Sequence, residues 1–246
     1  MMRQVGAQEV AQWTPDSEAA LRQCGQFAAY GAEQSFLRFY EDDQGNRLSV
    51  FENAATLYAN GDTEEMCLFL TMDPTVYTVR TDAVTAATLS EMWGVPFKTE
   101  AVMQAPADAA VHETVHEMPL RDVYGVIIDG FGREAIPPFD AWYADVHHRY
   151  RHGRCRAVGV YEDGIAVACA MTVADCDTAA LIGAVATRPQ ARGKGYASAC
   201  VLTLAAILHA ENKRALLSPK NEYAHRLYDR IGFTVIGEWG SVDKTE

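Results

Sequence analysis

One stretch of the chain has residue types and spacing that suit the binding of a phosphate group. It is Gln190-Ala191-Arg192-Gly193-Lys194-Gly195, and it lies between an apolar run at 180–186 and a helix predicted at 196–211. Glycine lets backbone N–H groups approach a ligand closely, and a helix N-terminus adds partial positive charge to those groups. The stretch therefore predicts a loop that binds a nucleotide-like anion.

The spacing of the glycines excludes two common nucleotide-binding loops. A Rossmann dinucleotide loop needs a further glycine three residues after Gly195, where this chain has Ser198. A P-loop needs Ser or Thr directly after its Gly-Lys pair, but Lys194 is followed by Gly195. The loop therefore belongs to neither class.

The net charge of −12 is distributed unevenly along the 246 residues. Residues 1–110 hold 6 basic and 16 acidic side chains, whereas residues 188–230 hold 8 basic and 3 acidic ones. The basic residues thus cluster around residues 190–195, which we call the glycine loop, and such a cluster fits a small polyanionic ligand. It argues against a nucleic-acid partner, which needs a broad basic face.

Composition and cysteine usage indicate a globular protein of the cytoplasm. The chain has 49% hydrophobic and 22% charged residues, well away from the disordered class. Met1–Val10 lacks a signal-peptide pattern, and the longest nearly apolar window, Tyr196–Ala210, is too short to cross a bilayer. The six cysteines form no CxxC pair, so we predict no disulfide framework, no metal site and no membrane partner. Cys169 and Cys200 are interpreted as core residues.

The elements that must hold the glycine loop are predicted from apolar periodicity and turn signals. Two helices come first, and the turn Glu162-Asp163-Gly164 joins the first two of three strands into a hairpin. In chain order the predicted elements are a strand at Val111–Met118, helices at Leu120–Phe131 and Phe139–Tyr150, three strands within Arg156–Ala186, the long helix, a strand at Arg214–Leu217, a helix from Asn221 to Gly232, and a strand at Phe233–Val242.

The first part of the chain predicts a smaller α+β lobe without a glycine loop of its own. Asp82 is the predicted N-cap of a helix that continues to Trp93 and ends at Gly94. The predicted strands are Ser35–Tyr40, Leu48–Phe51, Ala55–Tyr58, Cys67–Thr71, Val76–Arg80 and Phe97–Met103. Gln104–Ala110 has the composition of a linker, so the predicted domains are residues 1–110 and 111–246.

Two motifs, in this order, resemble the GCN5-related N-acetyltransferase superfamily. The first is Gln190-x-x-Gly193-x-Gly195 followed by Ala197, and the second is Asn221-x-x-Ala224-x-x-Leu227-Tyr228-x-x-Ile231-Gly232-Phe233. The resemblance covers residues 115–246. It implies an α+β class with a mixed α/β sheet and the acyl-CoA N-acyltransferase fold in the C-terminal lobe. Residues 1–110 resemble, more weakly, the degenerate acetyltransferase-like lobe of tandem members.

The resemblance implies an enzyme that transfers an acetyl group from acetyl-CoA to a primary amine of a small molecule or peptide, without a metal. Main-chain groups of Val185 and Thr187 would hydrogen-bond the pantetheine arm as an added strand does. Asn221 would cap its helix and also touch the cofactor. The residues implied to face the pyrophosphate are Arg192, Gly193, Lys194, Gly195, Tyr196 and Ala197. The Arg192 and Lys194 side chains are either phosphate ligands or solvated charges.

Tyr228 is the catalytic candidate that the second motif implies. Transfer needs a group that protonates the leaving thiolate, and a phenol can supply that proton. The alternative interpretation is a core aromatic, because Tyr228 shares a helix face with Ala224 and Ile231.

The general base and the acceptor stay open at the level of sequence. The candidate bases are Asp175, Asp177, His147 and His148, and nothing in the sequence positions them; a water relay is equally compatible. The segment Gly130–Phe139 is implied to line the acceptor side, and the acidic first lobe suggests a cationic amine. The strand Ala179–Ala186 holds no ionisable residue, so a non-catalytic acyl-CoA sensor on the same fold is the alternative function. The oligomeric state is not predicted.

Overall fold

The computed structural model describes residues 1–244, which divide into two compact units. The first unit is Met1–Val102 together with the chain from Ile236 onward, and the second is Met103–Val235. The contacts therefore divide the chain earlier than the linker predicted from composition at Gln104–Ala110. They also assign most of the last strand to the first unit.

The first unit contains four helices and a sheet. Its elements are β1 (Arg3–Gln4), α1 (Ala7–Val10), α2 (Glu18–Tyr30), β2 (Leu37–Glu41), β3 (Arg47–Phe51), β4 (Ala54–Tyr58), α3 (Glu64–Met72), β5 (Thr78–Thr81), α4 (Ala83–Trp93) and the greater part of β6 (Phe97–Gln104). Strands β1 to β4 pair antiparallel in order, and β4 pairs parallel with β5.

The second unit contains the glycine loop. Its elements are β7 (His116–Glu117), α5 (Leu120–Phe131), α6 (Phe139–Arg151), β8 (Ala157–Glu162), β9 (Ile165–Asp175), β10 (Ala179–Thr187), α7 (Tyr196–Ala210), β11 (Arg214–Leu217), α8 (Glu222–Arg230) and the start of β12 (Thr234–Asp243). Strands β7 to β10 pair antiparallel in order, and β10 pairs parallel with β11.

Both units follow the same order of elements. Each has a short strand, two helices, three antiparallel strands, a helix, a parallel strand, a second helix and a final strand. In the first unit the end of β12 pairs antiparallel with β5, and in the second unit the end of β6 pairs antiparallel with β11. The two units are thus built on one topology.

Each unit has its own apolar core. In the first unit α3 and α4 cover one face of the sheet, where Leu57, Leu70 and Leu89 are fully buried. In the second unit α5 buries Val123 and Ile127 against β8 to β10, as the helical spacing of its apolar residues predicts. All six cysteines are buried, which confirms Cys169 and Cys200 as core residues.

Several predicted turns and caps are confirmed at their residues. The Asp82 carboxylate accepts hydrogen bonds from the N–H groups of Val84 and Thr85 at 2.9 and 3.0 Å, and Gly94 ends α4 in the left-handed region. Asp163 and Gly164 both have positive φ, 50° and 78°, as a type I′ hairpin turn requires.

Two element predictions are wrong. The strand predicted at Cys67–Thr71 is the middle of α3, in which Met66, Cys67 and Leu70 are buried on one helical face. Glu64 and Glu65 in the first turn further favour this helix. The strand predicted at Val111–Met118 is only the two residues His116–Glu117.

Candidate functional site

The strand that leads to the glycine loop loses one of its partners half-way along. β10 pairs with β11 only from Ala179 to Ile182. Beyond that point its register with β9 shifts between Gly183 and Ala186, and Ala184 has a φ of 46°. A bulge of this kind bends a strand away from its neighbour. The last residues of β10, which include Val185 and Thr187, therefore present an edge that β11 does not pair.

The loop after β10 leads into the N-terminus of α7. A 3-10 turn at Pro189–Ala191 is followed by Gly193 and Gly195, with φ of 81° and 83°. The first hydrogen bond of α7 runs from Ala199 N–H to the Gly195 carbonyl at 3.0 Å. The N–H groups of residues 196–198 therefore have no acceptor within the helix. These N–H groups and the helix dipole attract an anion, and both glycines adopt the left-handed backbone that the turn needs.

The two basic side chains of the loop are bound to neighbouring elements. The Arg192 guanidinium donates hydrogen bonds to the carbonyls of Gly130 and Thr187 at 3.1 and 3.3 Å. The Lys194 ammonium lies 2.7 Å from Glu162 Oε1, and this hydrogen bond raises the pKa of Lys194 and lowers that of Glu162. Both side chains are exposed and are also held by these contacts.

Glu162 is a residue of this region that the sequence reasoning used only as part of a turn. Its carboxylate accepts hydrogen bonds from the Lys194 ammonium and from the Tyr196 hydroxyl. It thereby ties the end of β8 to the loop and to the first residue of α7. The predicted hairpin placed Glu162 at the end of a strand. The sequence contained no signal for the distance between this turn and the glycine loop, so the contact was not predicted.

The end of α5 packs against the base of the loop. A side chain at Gly130 would place its Cβ 3.0 Å from the Ala186 Cβ, so glycine permits this close approach. The Asp129 carboxylate lies 3.0 Å from the Arg188 guanidinium. Next to Arg188, the Thr187 hydroxyl oxygen is buried without a hydrogen-bond partner among residues 1–244. An unused polar atom at the end of the unpaired edge suits a ligand with polar groups.

Tyr228 is a buried residue of α8, with 7% of its surface exposed. Its ring lies 5.8 Å from that of Phe233, and burial raises the pKa of Tyr228 to about 12. The phenol is therefore protonated at neutral pH. The Asn221 side chain accepts a hydrogen bond from Ala224 N–H at 2.9 Å, which is its capping role. Within residues 1–244 neither side chain bonds to the loop.

The candidate bases are engaged elsewhere. Asp175 lies 2.5 Å from the Lys213 ammonium, and it pairs with Ala180 at the start of β10. Asp177 lies 2.7 Å from the Arg154 guanidinium in the turn between β9 and β10. Both carboxylates are thus at the end of β10 opposite to the loop. The sequence had no means of showing this, because strand order and length decide it.

The two histidines lie on α6 and contact other rings. The His147 ring stacks on that of Tyr143, and the His148 ring lies 4.2 Å from that of His152 with the two planes tilted by 32°. His147 also lines a groove of about 490 Å³ along β7, the start of α5 and the face of α6 that carries Tyr143 and Tyr150. No geometry assigns either histidine to the glycine loop.

The described chain contains neither a metal cluster nor a membrane-spanning helix. In residues 1–244 no three His, Cys, Asp or Glu side chains are grouped so that they could hold a metal ion. Over the same residues no helix has the length and apolar character needed to cross a membrane.

Comparison with known proteins identifies the region that holds the loop and Tyr228. A model of the acetyltransferase (GNAT) family matches residues 120–233. No curated protein sequence matches the chain.

Solved structures of low sequence identity share the fold over nearly the full chain. A GCN5-related N-acetyltransferase-like protein from Streptococcus suis is 15% identical with a TM-score of 0.60, covering 96% of this chain and 97% of its own. A GCN5-related N-acetyltransferase from Sphaerobacter thermophilus is 18% identical with a TM-score of 0.61, and the match covers 99% of this chain and 95% of the other. A tandem GNAT protein from the clavulanic acid biosynthesis pathway is 13% identical, with a TM-score of 0.60 and coverage of 100% and 99%.

Proposed function

Residues 120–233 form a domain of the acetyltransferase (GNAT) family, and from this premise we propose that the protein transfers an acetyl group from acetyl-CoA to an amine. The observation that carries the proposal is the continuity of two binding features. The end of β10, whose edge β11 does not pair, leads directly into the glycine loop at the N-terminus of α7. One extended ligand with an amide arm and a pyrophosphate can use both features.

The residues present fit acetyl-CoA as the co-substrate. The free N–H groups of the first turn of α7 suit the pyrophosphate, and Gly193 and Gly195 leave the backbone uncovered. The main-chain groups around Val185 suit the amides of the pantetheine arm, which would add to the edge of β10. Arg192 and Lys194 contribute positive charge close to the phosphates.

Tyr228 is the proposed proton donor of the transfer. A neutral amine attacks the thioester carbonyl carbon, a C–N bond forms, the C–S bond breaks, and the nitrogen releases its extra proton to solvent. The leaving sulfur takes the phenol proton of Tyr228, which solvent then restores. The raised pKa of Tyr228 keeps this proton in place before the reaction. No residue is assigned as general base.

The first unit is proposed to be a degenerate repeat of the acetyltransferase domain. It has the same topology, but the segment before α3 reads Asn60-Gly61-Asp62-Thr63 in place of the glycine loop. Glu64 and Glu65 then occupy the first turn of α3. Carboxylates at a helix N-terminus repel a phosphate, so this unit is not expected to bind the coenzyme at the equivalent place.

The proposal is tested by the release of free thiol from acetyl-CoA in the presence of a panel of amines. The panel contains small monoamines, polyamines, aminoglycosides and peptides with free N-termini. We expect thiol release that depends on the presence of at least one class of amine. We also expect acetyl-CoA to bind when no amine is present. Tight binding of acetyl-CoA without release on any amine would instead favour the acyl-CoA sensor, an alternative supported by the lack of an ionisable residue on β10.

A further inference from the structure

The first unit buries a row of polar side chains under α2. Across four neighbouring strands Ser49 lies opposite Thr56, Thr56 opposite Arg80, and Arg80 opposite Ser241. The residues that alternate with them form the apolar face on α3 and α4, and they are Val50, Ala55, Val79 and Val242. One face of this sheet is therefore an ordinary core, while the other carries a polar row across its middle.

Helix α2 lies over this row and bonds to it. The Gln23 amide donates hydrogen bonds to the Thr56 and Arg47 carbonyls at 2.8 and 2.9 Å. Arg22, the residue before Gln23, pairs with Glu18, and its guanidinium lies 5.8 Å from the centre of the Trp239 ring. Trp239 and Ser241 are two residues apart on β12 and therefore lie on the same face of the sheet. Because Ser241 pairs with Arg80, the indole is on the same face as Arg80.

The Arg80 guanidinium makes no hydrogen bond and no ion pair within the described chain, although the charges of Glu18, Asp243 and Glu100 act on it. The side chain is half-buried. Burial lowers the pKa of Arg80, and the nearby Arg22 lowers it further, although Glu18, Asp243 and Glu100 oppose that effect. A cation that leaves water without a paired anion lowers stability, so proteins rarely keep one without a reason.

Unused polar atoms lie along the same row. Ser49 and Gln23 are completely buried, and the Ser49 hydroxyl and the Gln23 carbonyl oxygen have no hydrogen-bond partner. Glu18 and Trp239 are each 5% exposed, and Glu18 Oε2 and the Trp239 indole N–H also have no partner. Buried polar atoms are satisfied in the great majority of cases. A group of unused donors and acceptors beside a guanidinium that makes no hydrogen bond therefore indicates a ligand.

We propose that the α2 polar row, defined as Arg22, Ser49, Arg80 and Trp239, is a binding site for a small carboxylate. The planar guanidinium of Arg80 matches the two oxygens of a carboxylate, and the indole N–H adds a donor from the same face. The carboxylates of Glu18, Asp243 and Glu100 also act on Arg80, and their negative charge disfavours a doubly charged anion such as phosphate. This site belongs to the unit without a glycine loop, and it is independent of acetyl transfer.

The first test follows the tryptophan indole N–H signals of the full chain by NMR during a sodium acetate titration. Sodium chloride at matched ionic strength is the control, and Trp239→Phe assigns the Trp239 signal. We expect a saturable acetate-dependent shift of Trp239 that Trp142 in the second unit does not show. The absence of a saturable shift, as expected if only water fills the row, overturns the proposal.

The second test compares Arg80→Met with Arg38→Met by thermal unfolding. Arg38 is a matched control in the same unit, because its charge is already paired with Asp73 at 3.2 Å. We expect acetate to raise the Tm of the wild type and of R38M but not of R80M, and R80M without acetate to be at least as stable as the wild type. An undiminished acetate response in R80M overturns the site. An equal Arg80-dependent response to phosphate overturns the carboxylate assignment. If R80M does not fold, the NMR titration alone decides.

Discussion

At the scale of single residues, Tyr228 combines burial with a chemical group that the proposed reaction needs. A tyrosine packed on Phe233 could be purely structural, and its raised pKa follows from burial alone. Removal of the hydroxyl separates the two roles, because a phenylalanine keeps the ring packing and loses the proton.

We expect Tyr228→Phe to lower kcat for thiol release about 100-fold, the usual contribution of a positioned general acid. The Kd for acetyl-CoA and the Tm should change little, since only one oxygen is removed. The control is Tyr223→Phe on the same helix, where the tyrosine is 72% exposed. Unchanged turnover in Y228F with an intact fold removes Tyr228 from the mechanism.

The pH dependence of the rate gives an independent check of the same phenol. Because burial raises the pKa of Tyr228 to about 12, its proton is retained well above the ordinary range of tyrosine. We expect kcat to show no alkaline loss from this group until the pH approaches about 11. A decline of kcat centred near the ordinary tyrosine pKa, absent from Y228F, would contradict the burial of the phenol in the working enzyme.

The glycines of the loop offer a second prediction at this scale. Gly193→Ala and Gly195→Ala should each raise the Kd for CoA, because both positions have positive φ and their N–H groups are proposed to face the pyrophosphate. Gly153→Ala is a matched control, since its φ of 67° imposes a similar backbone strain away from the loop. The comparison is made by isothermal titration. An equal loss of CoA affinity in all three variants would show that backbone strain alone causes it, and it would contradict a direct role of the loop glycines.

The role of a single residue was predictable where local chemistry decides it. The Asn221 cap and the burial of Cys169 follow from rules that act within one element. The contacts of Glu162 and the isolation of Asp175 from the loop depend on strand order and strand length. Those quantities are set by tertiary packing, so no local pattern contains them.

At the scale of elements, the bulge in β10 is the feature that opens the sheet. It bends the strand after Ile182, and the residues beyond it no longer pair with β11. The proposed contacts of Val185 are made by its backbone, so the identity of its side chain should matter much less than its N–H group.

We expect Val185→Pro to abolish measurable binding of acetyl-CoA, whereas Val185→Ile leaves the Kd nearly unchanged. Proline removes an N–H donor and restricts the backbone, but isoleucine changes neither. Thermal unfolding checks that V185P still folds, which is expected because the position lies in the bulge. Wild-type affinity in folded V185P would exclude an added-strand mode of binding.

Element predictions failed where two periodicities compete. Residues 67–71 form a short apolar run, and such runs do not distinguish a buried strand from a buried helix. The acidic pair Glu64-Glu65 before the run was the available signal for the start of α3. The hairpin at Glu162–Gly164 was predicted correctly because its turn residues allow few alternatives.

At the scale of the whole molecule, one topology occurs twice with different helix N-termini. The second unit places glycines and basic residues before α7, whereas the first places carboxylates at the start of α3. The order of elements in the first unit supports its interpretation as a repeat of the second. The segment before α3 has no glycine loop, and this is the basis for expecting a single coenzyme site.

We expect one CoA to bind per chain in an isothermal titration of the full protein. The variant Gly193→Ala should weaken that single event and leave no second one, because the first unit has no equivalent cradle. Lys98→Ala in the first unit serves as a surface control. A stoichiometry of two would contradict the degenerate character of the first unit.

The most direct test of acetyl transfer is mass spectrometry of products formed from isotope-labelled acetyl-CoA and a mixed amine library. The account predicts a labelled acetamide of at least one amine, formed in proportion to the free thiol released and nearly absent with Tyr228→Phe. Binding of acetyl-CoA with no labelled amide from any amine class would contradict it and would identify the protein as a binder of the coenzyme.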